Sequence, residues 1–263
     1  MNRTLVLAVA IALIWGQASA QSTPEPVQVE AWPLERISFL GREIYRHDIA
    51  AWVATDQLLE SAGGTPPSDL RGWIVRPHDD GLMVRFLRIE DEIVRPGWDV
   101  VVHNGEAGPV AAPAQSVLSD EEQAQFQARE TAISNLGPLR CSNSVNTVVL
   151  RDPASDEWLV WLLAATTEPN TIPVGGHYRF RISADGRTVV TRDQLSTGCL
   201  TLEPPDDGSS VAFFMTQIVS DTPVETHVFL SLLNGVPLYV AAADKLYMVA
   251  GDQIAVQDMP SEP

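Results

Sequence analysis

The chain has 263 residues, with 34 acidic against 17 basic side chains and a net charge of −17. That balance speaks against a nucleic-acid partner, which needs clustered Lys and Arg on phosphate, and against simple adsorption to anionic lipid. The apolar fraction of 45% is that of a globular protein rather than a disordered one, and the length suits one large domain or two small ones.

The first twenty residues read as a cleavable signal peptide. Asn2 and Arg3 form a short positive start, Leu5 to Trp15 is an uncharged apolar run, and Ala18, Ser19 and Ala20 are small residues ahead of Gln21, the expected mature start. The run is about half the roughly 20 residues a spanning helix needs, and no Cys stands at the cleavage point to take a lipid. Residues 158–165 are the longest later apolar run and suit a buried strand. The sequence therefore predicts an exported protein, periplasmic or secreted, with no integral membrane segment after cleavage.

Residues 21–40 contain Pro24, Pro26 and Pro33 and read as an extended lead-in, followed by a small α+β region over 41–104. Ile37, Leu40, Ile44, Ile49, Trp52 and Val53 form a loose helical stripe, so a helix is expected at about 42–61. Two strands, with Tyr45, His47 and Ile49 alternating, are the competing reading. Strands are expected at 72–76, 82–87 and 98–103, separated by the Asp79-Asp80-Gly81 turn and by Pro96-Gly97.

Residues 105–118 are rich in Ala, Pro and Gly and read as a linker to a β-rich region over 119–258. A helix is expected over 119–135: Ser119 and Glu122 make a capping-box pattern, three acidic residues suit the positive helix end, and Gly137-Pro138 stops it. Strands are expected at 147–151, 158–165, 178–183, 188–192, 211–218, 226–233, 238–242, 246–249 and 254–256. Asp185-Gly186, Asn234-Gly235 and Gly251-Asp252 are tight-turn pairs, read as hairpins. The segments 158–163 and 211–215 are apolar on both faces and are expected to be central strands covered on both sides. The fold class is α+β, mostly antiparallel sheet.

Cys141 and Cys199 are the two cysteines, and an even count in an exported chain predicts one disulfide, with free thiols as the alternative. Lys245, the single lysine, falls in a turn after Asp244 and is read as a solvated residue. No nucleophile elbow, zinc-protease helix, phosphate-cradling loop or Cys-pair zinc spacing occurs, and Asp206-Asp207-Gly208-Ser209 lacks the alternating ligands of a calcium loop. No metal site and no cofactor is expected.

Two polar clusters remain. His177, Arg179 and Arg181 alternate with Tyr178, Phe180 and Ile182, and Glu225 shares a parity with His227. If the strands at 178–183 and 226–233 are neighbours, His177, Arg179, Arg181, Glu225 and His227 share one exposed face that could bind an anion or move a proton. The competing reading is a solvated sheet face, or residues satisfied as partners of the many carboxylates. Tyr45, His47, Asp48, Trp52 and Asp56 form the second cluster, suited to a sugar or cation or to ordinary helix packing.

Segments beginning at Glu43 (Glu-Ile-Tyr-Arg-His-Asp-Ile-Ala-Ala-Trp), Gly175 (Gly-Gly-His-Tyr-Arg-Phe-Arg-Ile), Gly198 (Gly-Cys-Leu-Thr-Leu) and Thr226 (Thr-His-Val-Phe-Leu-Ser-Leu-Leu-Asn-Gly) resemble a family of uncharacterised exported proteins of Gram-negative bacteria. The resemblance implies a periplasmic location and transfers no functional residue. The expectation is a non-catalytic periplasmic protein that binds a small ligand or a cell-envelope partner. The alternative is a hydrolase whose His and carboxylate groups converge only in the fold.

Overall fold

The computed structural model describes residues 26–79, 81–166, 168, 170–205 and 211–259. The expected leader, Gln21 and the turn at 206–209 lie outside the described residues. In chain order the elements are α1 (Leu34–Ser61), β1 (Leu70–His78), β2 (Gly81–Glu90), β3 (Ile93–His103), β4 (Glu106–Ala107), α2 (Asp120–Ser134), β5 (Val145–Arg151), β6 (Trp158–Ala164), β7 (Ile172–Pro173) and β8 (Tyr178–Ile182). Then follow β9 (Val189–Gln194), β10 (Thr201–Leu202), β11 (Phe213–Gln217), α3 (Glu225–Asn234), β12 (Leu238–Ala242), β13 (Lys245–Ala250) and β14 (Gln253–Asp258). They make sheets β1-β2-β3-β4, β5-β6-β8-β9 and β11-β12-β13-β14, with a small β7-β10 ladder. Every pairing is antiparallel except β11 with β12, so the fold is α+β and mostly antiparallel, as expected.

Helix α1 ties two cores together. Its buried residues Ile37, Leu40, Ile44, His47, Ala50, Ala51, Ala54 and Leu58 recur at helical spacing. Ile37, Leu40 and Ile44 enter the core built on β6 and α3, whereas Ala50, Ala51, Ala54 and Leu58 pack on β1, β2 and β3. The helix begins at Leu34 rather than 42, which corrects the extended reading of 21–40; Pro33, which needs no N–H there, stands at the helix start. The two-strand reading of this segment falls with it.

The first sheet also corrects two expectations. Pro96-Gly97 does not precede a strand but sits inside β3, where Phe86 pairs with Trp98 and Leu87 with Pro96, leaving Gly97 as a bulge. The expected linker at 105–118 contains β4 and a strap on β3: Asp99 and Ala111 each donate an N–H to the other's carbonyl at 2.9 Å.

Helix α2 bears out its capping box. The Glu122 N–H donates to Ser119 Oγ at 3.2 Å and the Ser119 N–H donates to Glu122 Oε2 at 2.8 Å. Glu122 Oε1 also accepts from Arg76 and Arg85, both at 2.6 Å, so the capping carboxylate anchors the helix to the first sheet. Strand β6 is buried at all seven positions, as its two-faced apolar pattern predicts. Val160 and Leu162 meet Ala128 and Ala132 of α2; Leu159 and Trp161 meet α1 and α3.

The largest correction falls at 226–233, which is helix α3 and not a strand. Asn234-Gly235 is accordingly no hairpin: Gly235, at φ 65°, is the left-handed residue that ends α3. β11, α3 and β12 form a βαβ unit with parallel strands, and β11 is an edge strand with Phe214 63% exposed, not a central one. The hairpin turns at Asp185-Gly186 and Gly251-Asp252 are present between β8 and β9 and between β13 and β14. Cys141 and Cys199 are bonded, with Cα atoms 5.2 Å apart.

Candidate ligand-binding cleft

The residues His177, Arg179, Arg181, Glu225 and His227 do not share an exposed sheet face. His177, Arg179 and Arg181 lie on or beside β8, whereas Glu225 and His227 occupy the first turn of α3, and all but Arg181 are buried. Arg179 Nη1 lies 3.2 Å from Glu225 Oε2, Arg179 Nε donates to Asp193 at 2.9 Å, and Nη2 donates to the Glu30 carbonyl at 3.1 Å. The Trp161 indole donates to Glu225 Oε1 at 2.6 Å, and the Arg179 guanidinium carbon sits 3.8 Å from the Trp32 ring centroid. Burial works against the Arg179 charge, yet Glu225 and Asp193 outweigh it and raise its pKa.

The histidines bond to backbone. His177 Nδ1 accepts the Ala164 N–H at 3.0 Å, which places the proton on Nε2, and Nε2 donates to the Pro173 carbonyl at 2.9 Å. His227 Nδ1 accepts the Val224 N–H at 3.1 Å. Burial pushes both down to about 4, with the nearby His177 adding to the shift at His227. His227 lines a cavity of about 260 Å³ beside Cys199. Arg181 stands apart, paired with Glu157 at 2.7 Å. The group is an internal strut joining α3 to the second sheet: four of the five nominated residues come together, with Arg179, Glu225 and His177 bonded within the protein and His227 bonded through Nδ1.

The more open geometry lies elsewhere. β1 is the edge of the first sheet and β5 the edge of the second. The Gln125 amide of α2 bridges them, donating to the Val75 carbonyl at 2.9 Å and the Val149 carbonyl at 3.3 Å. Above that bridge is a cleft of about 450 Å³, walled by Phe39, Leu40, Glu43 and His47 of α1, Arg76 and Pro77 of β1, Glu121 of α2, and Arg151, Pro153 and Trp158 of the second sheet. A second hollow of about 610 Å³ continues from it along α2 to Asp185 and Arg187, sharing Glu121, Arg151 and Trp158.

The floor of the cleft carries His47. Its Nδ1 lies 2.8 Å from the Glu43 carbonyl, which can only accept, so Nδ1 holds the proton and Nε2 keeps its lone pair. Burial lowers the His47 pKa, against the pull of Glu43. Asp48, next in sequence, turns from the cleft toward Asn146, and burial raises it to about 6. Trp52 is 60% exposed, and neither Trp52 nor Asp56 lines the cleft, so the second cluster is dispersed.

At the shared wall, Arg151 and Trp158 are the closing cross-strand pair of the β5–β6 hairpin, with the guanidinium carbon 4.7 Å from the ring centroid. The sequence nominates neither for a site. The signal that could have found them is the register of the predicted strands at 147–151 and 158–165, which ends on this Arg and this Trp. Among the described residues no group of three or more His, Cys, Asp or Glu could hold a metal ion, and no helix is long and apolar enough to cross a membrane. No protein-family model, curated protein or solved structure matches the chain.

Proposed function

We propose that this protein is exported to the Gram-negative periplasm as a soluble, non-catalytic binding protein that holds a small ligand in the cleft between α1, α2 and the edges β1 and β5. The observation that carries the reading is the cleft itself. At about 450 Å³ it has the size of a small-molecule site, and it combines apolar walls with a few polar groups at the meeting point of three structural units. The Cys141–Cys199 bond supports an oxidising compartment, and the leader pattern at residues 1–20 supports export.

A hydrolase is the weaker reading. In the cleft the Glu43 carboxylate is tied to Arg46 and stands 4.0 Å from His47 Nδ1, which donates to the Glu43 carbonyl instead, and the interior His177 has both ring nitrogens bonded to backbone. The test is a thermal-shift screen of the mature protein against sugars, peptidoglycan fragments, organic acids and metal ions. A native-state ligand at a hundred times its Kd stabilises by about 2.7 kcal/mol, and one seated in the cleft also changes Trp158 fluorescence. A screen in which no compound raises the melting temperature, or in which the hits leave a Trp158→Phe variant and the wild type with the same fluorescence response, overturns the reading.

A further inference from the structure

Resting on that reading, we infer that the cleft takes a small organic acid: an apolar body with one carboxylate, held by Arg151, and one hydroxyl or N–H donor, received by Nε2 of His47.

The charge pairing of the cleft singles out Arg151. Glu43 is bonded to Arg46 at 2.8 Å, and Arg76 to Glu122 at 2.6 Å with Glu121 at 3.7 Å. Each of these charges already has an opposite partner. Among the described residues Arg151 has none, and the contact it makes is with the Trp158 ring. In a chain with twice as many acidic as basic side chains, Arg151 is the arginine of this cleft that has no carboxylate partner among the described residues. With its guanidinium carbon 4.7 Å from the Trp158 ring centroid, Arg151 makes a contact that takes up none of its N–H donors, and that planar fork matches a carboxylate with two parallel hydrogen bonds. An amine ligand would meet the same cation and be repelled.

His47 fixes the other end. With Nδ1–H held by the Glu43 carbonyl, the ring can only accept at Nε2. Among the described residues Nε2 has no protein partner, yet it is not one of the sealed unpaired atoms, so it is reached from the cleft. A lone acceptor on a largely buried ring wants a donor from the ligand, because leaving it dry and unpaired is costly. Phe39, Leu40, Pro77 and Trp158 supply the apolar surface for the body of the molecule.

The experiment is calorimetric titration of the mature, oxidised protein with a set of hydroxylated aryl and acyl carboxylates. Each is paired with its primary amide and with its O-methyl ether. The inference expects acids to bind about ten- to a hundredfold more tightly than their amides, the usual range for a charge-assisted bond. Arg151→Gln should abolish that difference without weakening the amides; Arg151 is exposed, so the variant folds. His47→Leu should erase the preference for hydroxyl over ether, and His47→Gln, which keeps an acceptor, should restore part of it. If amides bind as well as acids and His47 or Trp158 variants still weaken both, the cleft binds ligand and the organic-acid inference is wrong. If no member of the set binds, the inference fails, and a hit of another class in the thermal screen would leave the cleft reading intact. Acid binding that Arg151→Gln leaves unchanged overturns the inference as well.

Discussion

Arg179 of β8 and Glu225 at the start of α3 face each other at 3.2 Å with side chains 1% and 0% exposed. Because Glu225 also accepts the Trp161 indole and Arg179 also holds Asp193, this one contact joins the C-terminal helix to the central strand of the second sheet.

Removing Glu225 leaves the buried Arg179 with Asp193 alone. Glu225→Leu should cost about 3–5 kcal/mol, the range for breaking a buried pair, read as a drop in the urea midpoint. Arg179→Met combined with Glu225→Leu should recover part of that loss, since the only charge then left without its mate is Asp193, which reaches solvent. A single variant that loses less than about 1 kcal/mol would show that the pair does not hold α3.

Acid should loosen the fold early. His177 and His227 titrate near 4 when folded, against 6.5 ordinarily. Between those values the unfolded chain binds more protons, so stability is complete above about pH 6.5 and falls as pH drops toward 4, by up to about 3 kcal/mol for each ring. Asp48 acts in the other direction: held near 6 when folded, it is more protonated in the native state than in the unfolded chain, so its contribution favours the fold at low pH and is lost as pH rises through 6. Asp48→Asn should therefore gain about 1 kcal/mol at pH 7 and nothing at pH 3.5; the full figure of about 1.4 kcal/mol per pKa unit is discounted because the side chain is partly exposed to solvent. Urea midpoints between pH 3.5 and 7.5 measure both effects, and a wild-type curve that is flat from 6.5 to 4.5 would contradict the histidine assignment.

The disulfide closes a separation of 58 residues. Cys141→Ser with Cys199→Ser should cost about 4 kcal/mol in the chain-entropy account. Gly176, at φ +84°, approaches the bond so closely that an added Cβ would sit 2.6 Å from Cys141 Sγ. Gly176→Val should expose reactive thiols in denatured, unreduced protein, where the wild type shows none.

Gly41 marks where α1 crosses α3. A Cβ there would lie 2.4 Å from the Val228 Cβ and 2.6 Å from the Glu225 carbonyl oxygen. In a free helix Gly41→Ala gains about 1 kcal/mol; here overpacking should reverse the sign and destabilise by about 1–3 kcal/mol. Val228→Ala in the same chain should give back part of it, and simple additivity of the two changes would refute a contact between them.

The sequence was legible wherever a local signal decides the outcome. Ser119 and Glu122 marked α2 because their cap uses only residues three apart, and the run at 158–163 marked β6 because both its faces are covered. The segment at 226–233 was misread because Val228, Phe229, Leu230, Leu232 and Leu233 make a run with no clear period. A short helix buried nearly all round and a buried strand share that pattern, and Asn234-Gly235 serves either a hairpin or a helix end. The site was harder still. Arg179 met Glu225 as expected of one cluster, but whether a polar group faces water or a buried partner is decided by tertiary packing. The cleft draws on α1, β1, α2, β5 and β6, so no single stretch carries it.

The crossing at Gly41 also sets the order in which the chain can be completed. α1 is made well before its partners α3 and the β13–β14 turn: Ser38 donates to the Asp252 carbonyl across 214 residues. Until those final strands exist, Ile37, Leu40 and Ile44 have no complete core to enter, and so long-range a closure is slow. A chain threaded from its N-terminus would thus stay open and extensible until its last segment arrives, and a truncation before α3 would leave the leading helix as an exposed apolar surface for chaperones to hold.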